Sequence, residues 1–472
     1  MEFRYWATTD VGRKRADNED NFLIDKALNL FIVADGMGGH ASGEVASAMA
    51  VYTVRDTVVE NRDILAHYSP DDPLAQMEIC TLLEFAVHRA CESVHRKALQ
   101  EPEKKGMGTT VVALWLIGER GFIAYVGDSR IYLLRHNTIY PLTEDHSLRN
   151  ELIRSGQVRA EEFAESPYAR YQHAMTRAVG VHPTVDVDVL DFDLVSGDAF
   201  LLCSDGLYEY LHDADIASYL SLPDVEEIPR RFIELANTRG GKDNITALIV
   251  KVTGEDDVTR PSRGFSVDTL RALPLMAHLS YQQLCRMMSI AKLRSFSEGE
   301  LLLREDEPGG ELVIVLEGKV ATARGGVVVR ELGPGEFFGE GELSSPGPRT
   351  VTATGLAKGK LLTIGRADFQ DMLQRDSRLA SKLLWNLATL LGARVADLSE
   401  QLSRRTETVV HELHEVELHD DEDTEIHEVE LTDVDADVEL ADVHEVDLTE
   451  VDPDILELDI EDEDTAIKPV NS

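Results

Sequence analysis

Four aspartates of this 472-residue chain stand where a run of apolar residues meets a turn. They are Asp35, Asp128, Asp205 and Asp243. The run at 30–34 is the clearest, because Asp35 ends it and three glycines follow within four residues. Such runs predict buried strands, and strand ends can bring distant residues to one edge of a sheet. Carboxylates gathered there could hold a divalent cation, although a single Asp-Gly pair usually marks only a turn.

A further acidic segment carries one arginine: Arg15 precedes Glu19 and Asp20 by four and five residues. Alone, this pattern is typical of a solvated turn with local ion pairs. The functional alternative is that Arg15 binds a phosphate while the acids act on it through a metal. Hard oxygen ligands at this density favour Mg²⁺ or Mn²⁺ over zinc. Without a cation, the carboxylates would raise one another's pKa.

The elements that must position these acids are strands joined mostly by short turns, which indicates antiparallel neighbours. The predicted strands cover 3–8, 22–34, 109–117, 121–126, 130–135, 185–190, 198–203 and 245–252, and the predicted helices cover 42–60, 77–99, 213–220 and 225–238. We therefore predict an α+β domain over residues 1–253, an antiparallel β-sandwich flanked by helices.

Composition excludes several classes of function. The net charge is −41, of which residues 406–472 carry −26, so neither the tail nor the rest of the chain is basic enough to suggest non-specific nucleic-acid binding. Four cysteines form no CxxC pair or Cys-x5-Arg loop and fit a reducing compartment. The N-terminus lacks a signal-peptide core, and the longest apolar run, 111–117, is far shorter than the ~20 residues that span a bilayer. We expect a cytoplasmic protein without nucleic-acid or membrane partners.

Six ordered blocks connect the acids to a known family. They are Arg15-x-x-x-Glu19-Asp20, Asp35-Gly36-Met37-Gly38-Gly39-His40, Gly106-Met107-Gly108-Thr109-Thr110, Gly127-Asp128-Ser129-Arg130, Ser204-Asp205-Gly206-Leu207 and Lys242-Asp243-Asn244. Their order and spacing resemble those of bacterial type-2C metal-dependent serine/threonine protein phosphatases, the PPM family. The resemblance spans roughly residues 1–253.

The resemblance implies a centre of two Mn²⁺ or Mg²⁺ ions. The implied ligands are Asp35 as the bridge, the Gly36 carbonyl on one ion, Asp205 and Asp243 on the other, Glu19 and Asp20 through bound water, and Asp128 with Asp205 at a third, weaker site. Arg15 would bind the substrate phosphate. His40 is placed to protonate the leaving oxygen, although extra glycines between Asp35 and His40 leave its geometry open.

The activity implied by the resemblance is hydrolysis of phosphoserine and phosphothreonine in proteins by in-line attack of a metal-bridging hydroxide. Its partners would be phosphorylated proteins, and residues 145–180 resemble a flap that shapes substrate choice. The competing hypothesis is a non-catalytic regulator that binds phosphoproteins and whose second domain only docks partners. The complete acid set and Arg15 favour the enzyme.

A polar linker at 254–264 leads to a second predicted domain, 265–404. Short helices are predicted over 265–295, and two more over 369–373 and 377–402. Between them, glycines separate short predicted strands at 301–304, 312–316, 319–322, 327–332, 351–354 and 360–364. Many short strands with frequent turns indicate a barrel or a jelly roll, here a β-roll.

The segment 335–343 with Pro348-Arg349-Thr350 resembles the phosphate-binding cassette of cyclic-nucleotide-binding domains. The resemblance implies a site at Gly339, Glu340, Arg349 and Thr350, with Glu340 on the ribose and Arg349 on the cyclic phosphate, and cyclic AMP or cyclic GMP as a regulatory ligand. Glu342 departs from the family, which prefers a small alanine there, and its charge would repel an anion. The rival interpretation is a module that only docks a partner or the catalytic domain.

Residues 405–472 are predicted to be an acidic, disordered tail. A His-Glu-Val-acid-Leu unit recurs there at 414, 427 and 444. The tail could also add as a strand to a partner, compete for the metal centre, or attract basic partners. The sequence does not decide among these roles.

Overall fold

The computed structural model describes residues 1–38, 42–70, 72–172, 174–254, 267–344 and 347–417. The chain divides into two compact units, Met1–Leu398 and Ser399–Ser472. Within the first unit we distinguish an N-terminal region, residues 1–254, and a second region, residues 267–398. In the part of the chain that is described, no helix is both long and apolar enough to cross a bilayer.

The N-terminal region is built on two antiparallel sheets. Its strands are β1 (Glu2–Asp10), β2 (Asp20–Asp25), β3 (Leu30–Met37), β4 (Gly108–Thr109), β5 (Val111–Ile117), β6 (Arg120–Val126), β7 (Arg130–Arg135), β8 (Thr138–Pro141), β9 (Asp188–Asp193), β10 (Ala199–Cys203) and β11 (Ile245–Thr253). One sheet has the order β1-β11-β10-β7-β8, and the other has the order β2-β3-β5-β6-β9, with β4 paired to β3. The predicted antiparallel α+β fold is confirmed. The single strand predicted over 22–34 is instead a hairpin that turns at Asn29, whose φ is 54°.

The first five residues of β3, 30–34, are all apolar because both faces of the strand are buried there. Phe31 and Val33 belong to the core between the two sheets, whereas Leu30 and Ile32 belong to the core on the opposite face of the strand. Alternate side chains of a strand point to opposite faces, so a strand covered on both sides shows no polar alternation. The strand therefore runs from a solvent-free interior to the edge of the sheet, where Asp35 lies near its end.

Helices cover the outer faces of both sheets. They are α1 (Ser42–Glu60), α2 (Pro73–Gln100), α3 (Leu148–Arg154), α4 (Asp205–Tyr208), α5 (Asp213–Leu220) and α6 (Glu227–Arg239). α1 and α2 pack on the sheet that contains β3, and α5 and α6 pack on the sheet that contains β10 and β11. The result is a layered helix–sheet–sheet–helix arrangement in which strand ends remain accessible.

The second region combines a sheet with flanking helices. Its elements are α7 (Val267–Arg271), α8 (Tyr281–Ile290), β12 (Ala291–Phe296), β13 (Leu301–Leu303), β14 (Glu311–Arg324), β15 (Val327–Leu332), β16 (Phe337–Phe338), α9 (Gly341–Ser344), β17 (Thr352–Gly365), α10 (Arg366–Arg375) and α11 (Ser377–Glu417), the last of which continues past the first unit. The sheet order is β12-β17-β14-β15, with β13 paired to β17 and β16 to β14. The sheet is open, so the closed barrel among the predicted alternatives is wrong.

Three further predictions about this part of the chain need correction. Residues 291–296 form a strand rather than the end of the predicted helices. β14 and β17 each join two predicted strands into one long strand, with register irregularities around Gly318. α11 runs to Glu417, so residues 405–417, predicted as disordered tail, are helical. The rest of the predicted tail, 418–472, lies outside the described residues.

The two regions share one apolar core. Tyr281, at the start of α8, lies 4.9 Å from the ring of Tyr140 and 6.4 Å from that of Phe192, measured between ring centroids. Beside it, Arg135 donates from Nε and Nη2 to the two carboxylate oxygens of Asp198 at 2.8 and 2.6 Å, and from Nη1 to the Tyr281 hydroxyl at 3.0 Å. A fully buried ion pair is stable only when its remaining hydrogen bonds are met, and α8 supplies one of them.

Candidate active site

Strand ends bring the five aspartates of the predicted centre together. β2 and β3 place Asp20 opposite Asp35, and Asp205 begins α4 directly after β10. Asp205 and Asp35 also lie within hydrogen-bonding reach of each other. Asp128 follows β6, and Asp243 precedes β11. All four neighbours raise the pKa of Asp35, so residues far apart in sequence form one acidic cluster.

Burial dominates the electrostatics of the cluster. It raises the pKa of Asp35 well above the usual carboxyl value, and the charge of Asp20 adds to the effect. Burial likewise raises the pKa of Asp20 and of Asp128 to about 7, and that of Asp205 to about 6. In each case the charge of a neighbouring carboxylate contributes to the shift. A divalent cation among them would reverse these shifts.

Among the residues that the structure describes, two buried carboxylate oxygens in the cluster find no hydrogen-bond partner: Oδ1 of Asp20 and Oδ1 of Asp205. The other oxygen of Asp20 accepts from the hydroxyls of Ser204 at 2.7 Å and Thr246 at 2.6 Å. These bonds fix the carboxylate and leave Oδ1 as a buried acceptor. Buried polar atoms are nearly always partnered, so a cation or its bound water fits here.

Among the described residues, no group of three or more His, Cys, Asp or Glu side chains is arranged to hold one ion unaided. The ligand set implied by the resemblance does not require such a group, because it counts a shared carboxylate, a backbone carbonyl and water. Mg²⁺ retains several waters in most protein sites. The donor set present therefore fits ions that are coordinated largely through water and the backbone.

Close backbone packing surrounds the predicted carbonyl ligand, Gly36. A Cβ on Gly36 would lie 2.1 Å from the carbonyl oxygen of Gly43 and 2.6 Å from that of Glu19. The Glu19 side chain accepts from the Gly43 amide at 3.2 Å, in the first turn of α1. A helix N-terminus favours a negative charge, so α1 stabilises the Glu19 carboxylate beside the cluster. Only glycine fits at position 36.

Arg15 lies at the rim of the cluster. Its Nη2 donates to Oδ2 of Asp243 at 2.6 Å, and its side chain is 51% exposed. The structure thus brings together the predicted phosphate-binding arginine and a predicted metal ligand. His40, the predicted general acid, lies outside the described residues, and its role stays a prediction.

Sequence reasoning assigned no role to the residues that hold the acids in place. Ser204 and Thr246 fix Asp20, and the side chain of Asn244 accepts from the Glu19 amide at 2.9 Å and donates to the carbonyl of Asp17 at 2.9 Å. Ser204 and Asn244 are each the immediate neighbour of a predicted ligand. That adjacency was the available signal, but the sequence does not reveal which backbone each side chain reaches.

The predicted flap, residues 145–180, starts beside Asp128. Asp145 accepts two hydrogen bonds from the Arg130 guanidinium, at 2.8 and 2.7 Å, and His146 exchanges two hydrogen bonds with the backbone of Gly127. The first two flap residues are therefore bonded to positions on both sides of Asp128. Any shift of this flap end would move Asp128 as well.

The predicted nucleotide site is assembled only in part. Gly339, with a φ of 83°, packs against the carbonyl oxygen of Glu311, and the Arg349 guanidinium lies 3.6 Å from the carboxylate of Glu311. Glu340 instead forms an ion pair with Arg394 of α11. Thr350 is exposed. The Glu342 side chain lies outside the described residues, so its predicted conflict with a phosphate stays a prediction.

Two family models match separate stretches of the chain. Protein phosphatase 2C matches residues 12–248, and the cyclic nucleotide-binding domain matches residues 293–376. The first stretch contains every acid of the cluster, and the second contains Glu340 and Arg349.

Similar proteins cover the N-terminal half. The serine/threonine phosphatase stp of Listeria welshimeri is 39% identical over 254 residues, which cover 53% of this chain and 94% of that protein. Protein phosphatase PhpP of Streptococcus pneumoniae is 37% identical over 263 residues, covering 52% of this chain and 97% of that protein. Among solved structures, the catalytic domain of the serine/threonine protein phosphatase PstP in complex with two manganese ions is 33% identical, covers 53% of this chain and 99% of that chain, and has a TM-score of 0.44.

Proposed function

This chain belongs to the protein phosphatase 2C family, and on that premise we propose that it hydrolyses phosphoserine and phosphothreonine esters of proteins in a reaction that depends on Mn²⁺ or Mg²⁺. The observation that carries the proposal is the convergence of five aspartates, two of whose buried oxygens have no hydrogen-bond partner within the described part of the chain. A fold does not specify an activity, but this arrangement of acids is costly unless a cation is bound.

The residues that would hold two ions are Asp35 as the shared ligand, the Gly36 carbonyl, Asp205 and Asp243, with Glu19 and Asp20 acting through water and Asp128 with Asp205 at a third site. When bound, the ions supply positive charge that lowers the pKa of water and neutralises the phosphate. The hydrogen bonds from Ser204 and Thr246 keep the Asp20 carboxylate oriented whether or not the ions are bound. The chain thus contributes rigid, preorganised anionic ligands.

Arg15 would bind the phosphoryl oxygens. Its guanidinium is half exposed, and Asp243 orients it toward the cluster. A planar guanidinium can offer two parallel N–H donors to a phosphate, a geometry that lysine does not provide. Arg15→Lys would then keep the charge and lose the paired hydrogen bonds. His40 as the acid that protonates the serine or threonine oxygen is part of the same proposal.

Hydrolysis of p-nitrophenyl phosphate and of a phosphothreonine peptide, each with Mn²⁺ and with EDTA, tests the activity. We expect Mn²⁺-dependent turnover by the full chain, and a loss of more than about a thousand-fold in Asp35→Asn and Asp205→Asn, because each replaces a ligand charge. Glu78→Gln on the exposed face of α2 is the matched charge control. Near-normal turnover in either aspartate variant would refute the site, whereas peptide binding without turnover by the full chain would favour the non-catalytic regulator.

We also propose that the second region binds a cyclic nucleotide, which regulates the phosphatase. The family match over 293–376 and the contacts that Arg349 and Gly339 both make with Glu311 support this. Binding would have to displace the Arg394 side chain from Glu340 and the Glu311 carboxylate from Arg349. Competing ion pairs of this kind weaken affinity, so we expect micromolar rather than nanomolar binding.

Calorimetry of the full chain with cyclic AMP and with cyclic GMP tests this second proposal. Arg349→Ala should remove the heat of binding, and Arg294→Ala, which removes an arginine paired with Glu300 in the same region, should retain it. Absence of heat with either nucleotide at millimolar concentration would leave docking as the role of the second region.

A further inference from the structure

A glutamine of the second region reaches into the N-terminal region. Gln282, in the first turn of α8, is 9% exposed. Its Nε2 donates to the carbonyl oxygen of Leu142 at 2.6 Å and to the hydroxyl of Tyr125 at 3.1 Å. Ser280 caps α8 in a reciprocal capping box with Gln283, which fixes the turn that carries Gln282.

Tyr125 links Gln282 to the flap. Its hydroxyl donates to Oδ2 of Asp188 at 3.1 Å, and its ring is stacked on that of His146, with centroids 5.2 Å apart and planes 16° apart. Nε2 of His146 lies 3.3 Å from the same carboxylate oxygen of Asp188. The tyrosine hydroxyl and the imidazole therefore share one acceptor, while the hydroxyl itself accepts from Gln282 and, at 3.4 Å, from the Glu144 amide.

His146 then holds the backbone next to Asp128. Its Nδ1 accepts from the Gly127 amide at 3.0 Å, and its own amide donates to the Gly127 carbonyl at 2.9 Å. Because Nδ1 accepts, the ring proton is on Nε2, where it points at Asp188. Gly127 has a φ of 104°, and a Cβ there would lie 2.6 Å from a side-chain carbon of Thr110. The residue before Asp128 thus has little room to move.

A second contact from the same region reaches the same flap end. Arg378 of α11 forms an ion pair with Glu144 and donates to the carbonyl of Asn150 at 2.8 Å. Glu144 and Asn150 bracket His146 in the sequence. Two separate helices of the second region therefore hold the segment that holds Gly127.

On the premise that the chain is the phosphatase proposed above, we propose that Gln282 is a positioning residue for its active site: through Tyr125 and His146 it fixes Gly127 and hence the carboxylate of Asp128. The second region is then part of the catalytic apparatus. It acts on the Asp128 side of the cluster and leaves Arg15, on the Asp243 side, unaffected.

The test compares Gln282→Leu and Tyr125→Phe with Tyr140→Phe in the full chain. Tyr140→Phe is the matched control, because it removes a tyrosine hydroxyl that accepts from Arg271 across the same junction, at 2.9 Å, without touching His146. The first readout is amide hydrogen exchange in metal-free protein. We expect exchange of the Gly127 amide to be about ten-fold faster in Gln282→Leu and Tyr125→Phe and unchanged in Tyr140→Phe.

The second readout is steady-state hydrolysis with Mn²⁺. We expect kcat to fall about five-fold in Gln282→Leu, the effect of one hydrogen bond, with KM within about two-fold. If Gln282 acts on kcat through the Tyr125 hydroxyl and not through its other acceptor, the Leu142 carbonyl, the double variant Gln282→Leu/Tyr125→Phe should be no worse than Tyr125→Phe alone.

The inference is overturned if the Gly127 amide exchanges at the wild-type rate in both Gln282→Leu and Tyr125→Phe. It is also overturned if Tyr140→Phe accelerates that exchange as much as the other two variants do. If Gln282→Leu does not fold, Tyr125→Phe decides, because it keeps the buried ring. Hydrogen exchange does not depend on turnover, so an inactive wild-type chain would refute the phosphatase while the exchange data still decide whether Gln282 holds Gly127.

Discussion

Replacing Asp128 by asparagine should stabilise the metal-free protein above neutral pH. Burial, followed by the charges of Asp205 and Asp145, raises the pKa of Asp128 to about 7, against ~3.9 for an unfolded aspartate. Ionising a carboxyl displaced by about 3 pKa units costs the native state ~4 kcal/mol. Because the Asp128 side chain is partly exposed, solvent screening makes the actual cost of ionisation smaller than this value. We expect Asp128→Asn to raise the free energy of unfolding by about 2 kcal/mol.

The sign of the effect depends on pH. The native state binds the Asp128 proton more tightly than the unfolded state, so the penalty is absent below about pH 4, grows between about pH 4 and pH 7, and is complete above that. Urea unfolding in EDTA, followed by circular dichroism across this range, measures it. The two proteins should differ in midpoint at pH 8 and converge near pH 4. Glu78→Gln, an equal charge change on an exposed helix face, should show no such trend.

Mn²⁺ provides the decisive comparison. Binding stabilises the native state by mass action, and the wild type has one more ligand charge than Asp128→Asn. The stability difference at pH 8 should therefore shrink or reverse when Mn²⁺ replaces EDTA. Equal midpoints at pH 8 in EDTA would refute the reasoning, because they would mean that the Asp128 carboxylate is ionised at no cost in the empty site.

Three further predictions concern packing and reactivity. Asp198→Asn should lower the free energy of unfolding by about 3–5 kcal/mol, because it removes the buried carboxylate that accepts two hydrogen bonds from the Arg135 guanidinium; a loss below about 1 kcal/mol in urea unfolding would contradict this. Gly206→Ala should abolish hydrolysis and lower the thermal midpoint, since its Cβ would lie 2.0 Å from the carbonyl oxygen of Asn244; wild-type activity would contradict the packing. Burial raises the pKa of the Cys203 thiol to about 12, so a thiol reagent should label it only on unfolding, and labelling of the native chain at the rate of a free thiol would contradict that.

The sequence predicts the acidic cluster well because each member is encoded locally. An apolar run followed by Asp-Gly predicts a buried strand that ends near the aspartate: β3 ends two residues after Asp35, and β10 ends two residues before Asp205. Antiparallel pairing then brings strand ends together, as in the pairing of Asp20 with Asp35. Six such blocks in order leave little freedom for where the carboxylates lie.

Features that depend on distant partners were not predictable. Gly318 reads as a strand break, yet β14 continues through it because β17 pairs along its whole length with irregular register. Ser204 and Gln282 are ordinary polar residues in sequence, and only the fold shows that one holds Asp20 and the other holds Tyr125. Side-chain hydrogen bonds between elements have no periodicity that a sequence pattern could reveal.

α11 connects the two sites through ordinary ion pairs. Arg394 engages Glu340 in the predicted nucleotide cassette, and Arg378, sixteen residues earlier on the same helix, engages Glu144 at the start of the flap. A nucleotide that displaced Arg394 from Glu340 would remove one contact that fixes α11. It would thereby affect the position of Arg378 on the same helix and its contact with the flap. Thermodynamic linkage makes such coupling reciprocal, so a phosphopeptide or metal whose affinity depends on the flap must alter nucleotide affinity by the same factor. Nucleotide affinity measured with and without Mn²⁺ should therefore differ if α11 transmits the signal, and equal affinities would confine its role to packing.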